Sequence, residues 1–91
     1  AVFFTSNNLG LAGLEAFSNL GITVPEQVSV ICFDDNDLFR LGKPGITVMS
    51  QPIKQMAKKA VEVLVRQIEQ SGTEPSHIVL PTQIIERESV R

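Results

Sequence analysis

The sequence predicts an α/β fold built on a parallel sheet, and three observations lead to this prediction. Two short apolar runs, 1–5 and 28–33, have the β-branched and aromatic composition of strands that are buried on both faces. A segment with apolar residues at helical spacing, 6–20, lies between them. A strand, a helix and a second strand over about thirty residues make a βαβ unit, whose strands are parallel and joined by a right-handed crossover.

Length and composition limit the class of protein. A chain of 91 residues forms one small domain at most. Its 43% apolar and 20% charged residues exclude intrinsic disorder. The net charge of −2 excludes a strongly basic nucleic-acid binder, and the single cysteine excludes a disulfide framework or a thiolate zinc site. No apolar run approaches the roughly 18 residues of a membrane span, and no signal peptide is recognisable.

The first helix is predicted over 6–20. Ser6 and Asn7 are residue types whose side-chain oxygens cap helix N-termini, and Gly21 stands where a left-handed C-cap residue is needed. The apolar residues expected to share its buried face are Leu9, Gly13, Ala16, Phe17 and Leu20. Leu11 and Leu14 lie opposite that face in this prediction, so we expect them to contact another subunit or a missing part of the same chain.

The remaining elements follow in order. The strand at 28–33 ends at the acidic residues 34–37, and residues 38–45 are predicted to be irregular. A short strand is predicted at 46–49. A helix with a regular apolar stripe is predicted over 52–71, with Pro52 at its first position, Ser50 or Gln51 as N-cap and Gly72 at its end. Two strand-like segments, 77–80 and 83–87, complete the chain.

Two polar residues follow the first two strands. Asn7 follows the first strand and Asp34 follows the second, and ligands of open α/β sheets bind beyond the carboxyl ends of parallel strands. A carboxylate beside a carboxamide suits the hydroxyl groups of a ligand, because the carboxylate accepts hydrogen bonds while the amide both accepts and donates. The alternative is that Asn7 only caps a helix and that the aspartates form a solvated turn.

Other chemistry is weakly supported. Residues 35–37 resemble the start of a calcium loop, but Arg40 and Ile46 stand where an EF-hand needs Gly and Glu. A strand ending in two aspartates resembles the magnesium strand of P-loop ATPases, but the sequence contains no phosphate-binding loop. His77 is expected at a surface, and Cys32 is expected to be an inert core thiol. An enzyme using Asp34 or Asp35 would lack a second catalytic group, so we expect neither catalysis nor a cofactor or metal.

The ordered series of segments resembles the C-terminal portion of LacI/GalR-family transcriptional regulators. No single motif is decisive, but the series spans the whole chain in order. The matching segments are Val2–Asn8, Gly13–Leu14, Ala16–Phe17, Leu20–Val30, Phe33–Asp35, Ile46–Val48, Gln51–Ile53, Met56, Ala60–Val61, Leu80–Pro81 and Arg87–Ser89. The resemblance implies part of a type I periplasmic-binding-protein-like fold, in which the helix at 52–71 belongs to the other subdomain.

The resemblance also implies a function and its residues. It assigns effector contacts to Asn7 and Asp34, a weaker one to Gln51 at the crossover between subdomains, and a pocket wall to Phe33. The effector would be a sugar or a nucleobase-like molecule. Operator DNA would be bound only through a helix-turn-helix that this chain does not contain, by a cytoplasmic homodimer in which the first helix contributes to the subunit contact.

The alternative is part of a periplasmic sugar-binding protein of a transport system, which shares the fold. A signal peptide encoded upstream would favour that alternative.

Overall fold

In the computed structural model, residues 1–70 and 74–91 are described, and the chain divides into two compact units. The sheet unit comprises Ala1–Gln51 and Gln83–Arg91, and the helix unit comprises Pro52–Thr82. The elements of the sheet unit are β1 (Val2–Phe4), α1 (Asn7–Leu20), β2 (Val30–Phe33), α2 (Asp37–Leu41), β3 (Thr47–Ser50) and β4 (Gln83–Ile85). The helix unit contains α3 (Ile53–Glu69).

The four strands form one sheet in the order β1-β2-β3-β4. β1, β2 and β3 are parallel, and β4 runs antiparallel to β3. Val2 pairs with Val30 and Ile31 pairs with Thr47, so the three parallel strands end at the same edge of the sheet. The predicted α/β fold with a parallel βαβ unit is confirmed, and the antiparallel fourth strand adds to it.

Both ends of α1 are capped as the sequence predicts. The backbone N–H of Leu9 donates to the Ser6 Oγ at 3.2 Å, which satisfies one of the unpaired donors of the first turn. Gly21 adopts the left-handed conformation with φ of 71°, and its N–H donates to carbonyls of the last turn. A residue without Cβ adopts this conformation without steric cost, so Gly21 ends the helix at Leu20.

The face of α1 that meets the sheet differs from the prediction. Leu11, Leu14 and Phe17 pack against the core, whereas Leu9 and Leu20 are 54% and 73% exposed. The assignment of Leu11 and Leu14 to the outer face is therefore wrong. The helix carries two overlapping apolar stripes, and their spacing alone does not indicate which stripe is buried. A subunit contact through this helix stays a prediction, but the premise that singled out these two leucines is removed.

The core lies between α1, α2 and the middle of the sheet. Its fully or almost fully buried members are Val30, Cys32, Phe39, Ile46 and Val48. Gly10 lets α1 approach this core closely, since a Cβ there would lie 2.7 Å from the Cys32 Sγ and 2.9 Å from the Phe39 Cζ. The absence of a side chain at Gly10 thus sets the distance between α1 and the sheet.

The segment after β4, residues 86–91, is tied to the sheet by hydrogen bonds and is called the C-terminal segment below. Ser89 is completely buried, and its Oγ donates to the Val30 carbonyl at 2.6 Å and accepts from the Thr47 N–H at 2.8 Å. The Val30 N–H in turn donates to the Ser89 carbonyl at 2.9 Å. One serine therefore joins the beginnings of β2 and β3.

Three predicted segments after β2 need correction. Residues 38–45 are not wholly irregular, because α2 begins at Asp37 and buries Phe39. Residues 77–80 form no strand, and β4 covers 83–85 rather than 83–87. The apolar run at 77–80, which ends at Pro81, has the composition of a strand. Its main chain pairs with none of the described strands, so it is not part of the sheet.

The helix unit is dominated by α3. The helix begins at Ile53, and Pro52 occupies the N-cap position without a side-chain hydrogen bond, so neither Ser50 nor Gln51 caps it. Its last residue is Glu69, and the predicted end at Gly72 lies outside the described residues. Glu62 forms ion pairs with Lys58 at 4.0 Å and Lys59 at 3.4 Å on the polar side of the helix.

Candidate functional site

The carboxyl edge of the parallel strands gathers three of the predicted ligand residues. Asn7 follows β1, Asp34 follows β2 and Gln51 follows β3. The Gln51 Nε2 donates to the Asp34 Oδ1 at 2.5 Å, and the Asn7 Nδ2 donates to the carbonyl of Asp35 at 3.5 Å. The three residues therefore lie together, as parallel strands require. Their role in binding a ligand stays a prediction, as does a pocket wall formed by the half-buried Phe33.

Asp34 adopts an unusual backbone conformation at this edge. Its φ of 75° lies in the left-handed region, which among residues with a side chain is populated mainly by Asn and Asp. The Asp34 N–H donates to the Met49 carbonyl at 2.8 Å, which holds the turn after β2 against β3. The left-handed residue turns the chain sharply at the end of β2, so Asp34 and Asp35 follow the strand within a tight bend.

Asn7 contributes an acceptor that lacks a partner. Its Oδ1 is buried, and among the described residues no donor reaches it. A buried polar atom without a hydrogen bond costs about 1–3 kcal/mol, so such atoms are rare and point to a missing partner. Ser6 caps α1, so the Asn7 side chain is not used as the cap. Its Oδ1 therefore remains as a hydrogen-bond acceptor without a donor.

An ion pair that sequence reasoning missed lies behind this edge. The Arg87 guanidinium meets the Asp35 carboxylate with two parallel hydrogen bonds, Nη1 to Oδ1 at 2.8 Å and Nη2 to Oδ2 at 2.7 Å. The side chains are only 14% and 27% exposed. The residues are 52 positions apart in the chain, so no local spacing could predict their contact. The match of Arg87–Ser89 to the family is the one sequence feature that points to a role for Arg87.

The ion pair shifts the protonation equilibria of both groups. The hydrogen bond from Arg87 holds the pKa of Asp35 below its ordinary value, against the opposing effect of burial. The same hydrogen bond raises the pKa of Arg87. Asp35 is therefore a carboxylate whose two oxygens are both bonded to Arg87. Asp37 instead pairs with Arg40 on the surface at 2.6 Å.

The free energy of unfolding should depend on pH through this pair. Because the folded pKa of Asp35 is lowered, its stabilisation is complete above the ordinary pKa near 4 and disappears as the pH falls through the folded value. We expect Asp35→Asn to lower the free energy of unfolding by about 2 kcal/mol at pH 7, and by progressively less as the pH falls below the ordinary pKa of the carboxyl. Urea unfolding of both proteins across pH 2–7 measures this, and a pH-independent difference would contradict it.

The other candidate groups take no part in this edge. Cys32 is buried in the core, and burial raises its pKa to about 11, so the thiol is protonated and unreactive at neutral pH. His77 is exposed. Within residues 1–70 and 74–91, no group of three or more acidic, His or Cys side chains could hold a metal ion. Across the same residues, no helix combines the length and hydropathy that crossing a bilayer demands.

A separate groove of about 330 Å³ lies elsewhere in the sheet unit. None of Asn7, Asp34 or Gln51 borders it. Its lining is formed by Leu14, Phe17, Ser18, Ile22, Val24, Leu38, Gly42, Lys43, Pro44 and Ile46. This lining is mainly apolar and offers no set of convergent polar groups, so the groove does not compete with the carboxyl edge as a site for a hydroxylated ligand.

Comparison with known proteins places these features in a family. The model of the periplasmic binding protein-like domain matches residues 1–90. The HTH-type transcriptional regulator MalR of Clostridium butyricum is 36% identical over 89 residues, which cover 98% of this chain and 26% of that protein. The named relative is a transcriptional regulator.

Solved structures show the same similarity. The transcriptional regulator CelR in complex with cellobiose has a TM-score of 0.89 and 36% identity over 97% of this chain and 27% of its own. A LacI family transcriptional regulator of Enterococcus faecium with bound ribose has a TM-score of 0.89 and 26% identity over 98% of this chain and 33% of its own. This chain thus spans about a quarter to a third of the length of these proteins. It belongs to the periplasmic binding protein-like domain family, in the form found in LacI-family regulators.

Proposed function

We propose that the carboxyl edge of the sheet unit binds a small hydroxylated effector, of the sugar class, in a LacI-family transcriptional regulator. The observation that carries the proposal is the buried, unpartnered Asn7 Oδ1 beside the Asp34–Gln51 pair. A ligand hydroxyl that donates to this oxygen would remove the cost of leaving it unsatisfied. The bound sugars of two similar regulators, cellobiose and ribose, support the choice of ligand class.

The donors and acceptors at this edge favour a ligand that donates hydrogen bonds. The amide nitrogens of Asn7 and Gln51 are already used within the protein, on Asp35 and Asp34. Each amide nitrogen keeps a second N–H, while the acceptors open to a ligand are the unpartnered Asn7 Oδ1 and the unused lone pairs of the Asp34 carboxylate. Neutral hydroxyl groups match this set. A phosphate or carboxylate group placed here would face the Asp34 carboxylate, which carries the same sign of charge, so we expect acidic sugars to bind poorly at this end.

The regulatory effect would be allosteric. Effector binding would favour one arrangement of the ligand-binding domain, and the change in operator affinity would be matched by an equal change in effector affinity. The DNA contact would be made by a helix-turn-helix outside this chain, in a homodimer. The regulator is favoured over a transport protein because the similar proteins named above are transcriptional regulators.

Replacing Asp34 tests the binding role in the intact regulator. Asp34→Ala removes the charged acceptor and frees Gln51, so we expect the affinity for the sugar to fall about 10- to 100-fold, as expected for a hydrogen bond to a charged group. Operator affinity without effector should not change. Calorimetric titration with cellobiose and with ribose measures the first effect, and a DNA-binding assay measures the second.

Asp37→Ala is the matched control for this experiment. Asp37 is a nearby carboxylate with an 82% exposed side chain, and it pairs with Arg40 on the surface. We expect the sugar affinity of this variant to equal that of the unchanged protein. Equal affinities for the Asp34→Ala variant and the unchanged protein would refute the role of Asp34.

A further inference from the structure

We propose that Arg87 is a positioning residue for the ligand site, acting through Asp35 to fix the orientation of the Asn7 amide. The proposal rests on the proposed function, because it explains how Asn7 comes to present an acceptor. Arg87 lies in the C-terminal segment, 52 residues from Asp35. Nothing in the local sequence of Asn7 or Asp34 requires an arginine there.

The first step is the anchoring of the turn after β2. The bidentate ion pair fixes both oxygens of the Asp35 carboxylate, and the Asp35 Oδ1 also accepts from the Asn36 N–H at 3.0 Å. Two parallel hydrogen bonds from a planar guanidinium determine the orientation of a carboxylate as well as its position. The Asp35 main chain, which follows Asp34 directly, is thereby held in place.

The second step is the anchoring of Arg87 itself. Its N–H donates to the Thr47 Oγ1 at 2.9 Å, and the Thr47 hydroxyl donates to the Arg87 carbonyl at 3.3 Å. Its Nη1 also donates to the Ile46 carbonyl at 2.9 Å. Main chain and guanidinium are both attached to β3 and the residue before it, so the guanidinium occupies a fixed position on the sheet.

The third step is the effect on Asn7. Its Nδ2 donates to the Asp35 carbonyl, and an amide whose nitrogen is engaged must direct its oxygen elsewhere. This oxygen is the buried Oδ1 without a partner. Loss of the Arg87 anchor would free the Asp35 carbonyl to move, and the Asn7 amide could then rotate and offer a donor instead of an acceptor. Arg87 would thus contribute to the preference for ligands that donate.

The test compares Arg87→Met, Arg87→Lys and the control Ile85→Ala. Met keeps much of the apolar stem without the charge, whereas Lys keeps the charge without the bidentate fork. Ile85 packs against the core from β4, so we expect its truncation to lower stability alone. Two quantities are measured: the NMR signals and hydrogen exchange of the Asn7 side-chain amide in the 91-residue chain, and the affinity of the intact regulator for cellobiose and ribose.

We expect Arg87→Met to shift the Asn7 amide signals, to speed their exchange about tenfold and to weaken sugar binding about tenfold. Arg87→Lys should recover part of both losses. Ile85→Ala should leave both readouts within twofold of the unchanged protein, although it lowers the unfolding temperature. Unmoved Asn7 signals in Arg87→Met would overturn the proposal, and so would equal losses of affinity in Ile85→Ala. If neither sugar binds the unchanged protein, the proposed function fails, while the Asn7 signals still decide the role of Arg87.

Discussion

Phe39→Ala is expected to lower the free energy of unfolding by about 3–5 kcal/mol, which is the usual cost of truncating a buried phenylalanine. Phe39 is the largest fully buried side chain of the described residues, and it packs in the core with Cys32 and Val48. A small domain has a total stability of roughly 5–10 kcal/mol. The substitution should therefore remove a large part of the stability and bring the sheet unit close to unfolding at 37 °C.

Urea unfolding followed by circular dichroism measures this effect. Leu38→Ala is the matched control, because Leu38 precedes Phe39 in the same short helix but is 66% exposed. We expect Leu38→Ala to cost less than about 1 kcal/mol. Similar losses in the two variants would mean that Phe39 contributes through helix formation and not through the core.

Ser89→Ala should have the second largest effect on stability, about 2–4 kcal/mol. The substitution removes a single oxygen atom, but it leaves the Val30 carbonyl and the Thr47 N–H without their side-chain partner in a buried place. Each group left unsatisfied costs about 1–3 kcal/mol. The loss of volume is small, so hydrogen bonding accounts for the whole expected effect.

Hydrogen exchange of the backbone amides locates this effect. We expect the Thr47 amide to exchange faster in Ser89→Ala than the global loss of stability explains. Glu88→Ala is the control from the same segment. Its side chain is 59% exposed, accepts a 3.3 Å hydrogen bond from the Gly45 N–H and forms a 3.8 Å ion pair with Lys43. The loss should therefore stay below about 1 kcal/mol. An unchanged free energy of unfolding in Ser89→Ala would contradict the prediction and would show that water bonds to the Val30 carbonyl and the Thr47 N–H in the variant.

The parts of the fold that follow from local chemistry could be predicted from the sequence. Ser6 and Gly21 mark the ends of α1 because capping depends on the residue at one position. The parallel strands follow from a strand–helix–strand pattern, and parallel strands bring Asn7 and Asp34 to one edge without knowledge of any side-chain contact. This is why the location of the candidate site could be predicted, although its binding role stays a prediction.

The parts that depend on distant contacts could not be predicted. α2 has five residues, which is too short for a periodic pattern, so the burial of Phe39 was not foreseen. The sequence pattern places Leu11 and Leu14 on the wrong side of α1 because the helix is apolar on two sides, whereas in the structure both pack against the core. The contact of Arg87 with Asp35 arises only when the C-terminal segment returns to the sheet.

The return of Ser89 to β2 and β3 has a consequence for synthesis of the protein. The hydroxyl that joins Val30 to Thr47 comes from a residue 59 positions after Val30, and all of 52–82 is translated between the two parts of the sheet unit. A nascent chain that has emerged up to Gln51 contains β1, β2 and β3 but neither β4 nor Ser89. The unit must therefore reach its final hydrogen bonding late in translation, and contacts of such long sequence separation slow folding.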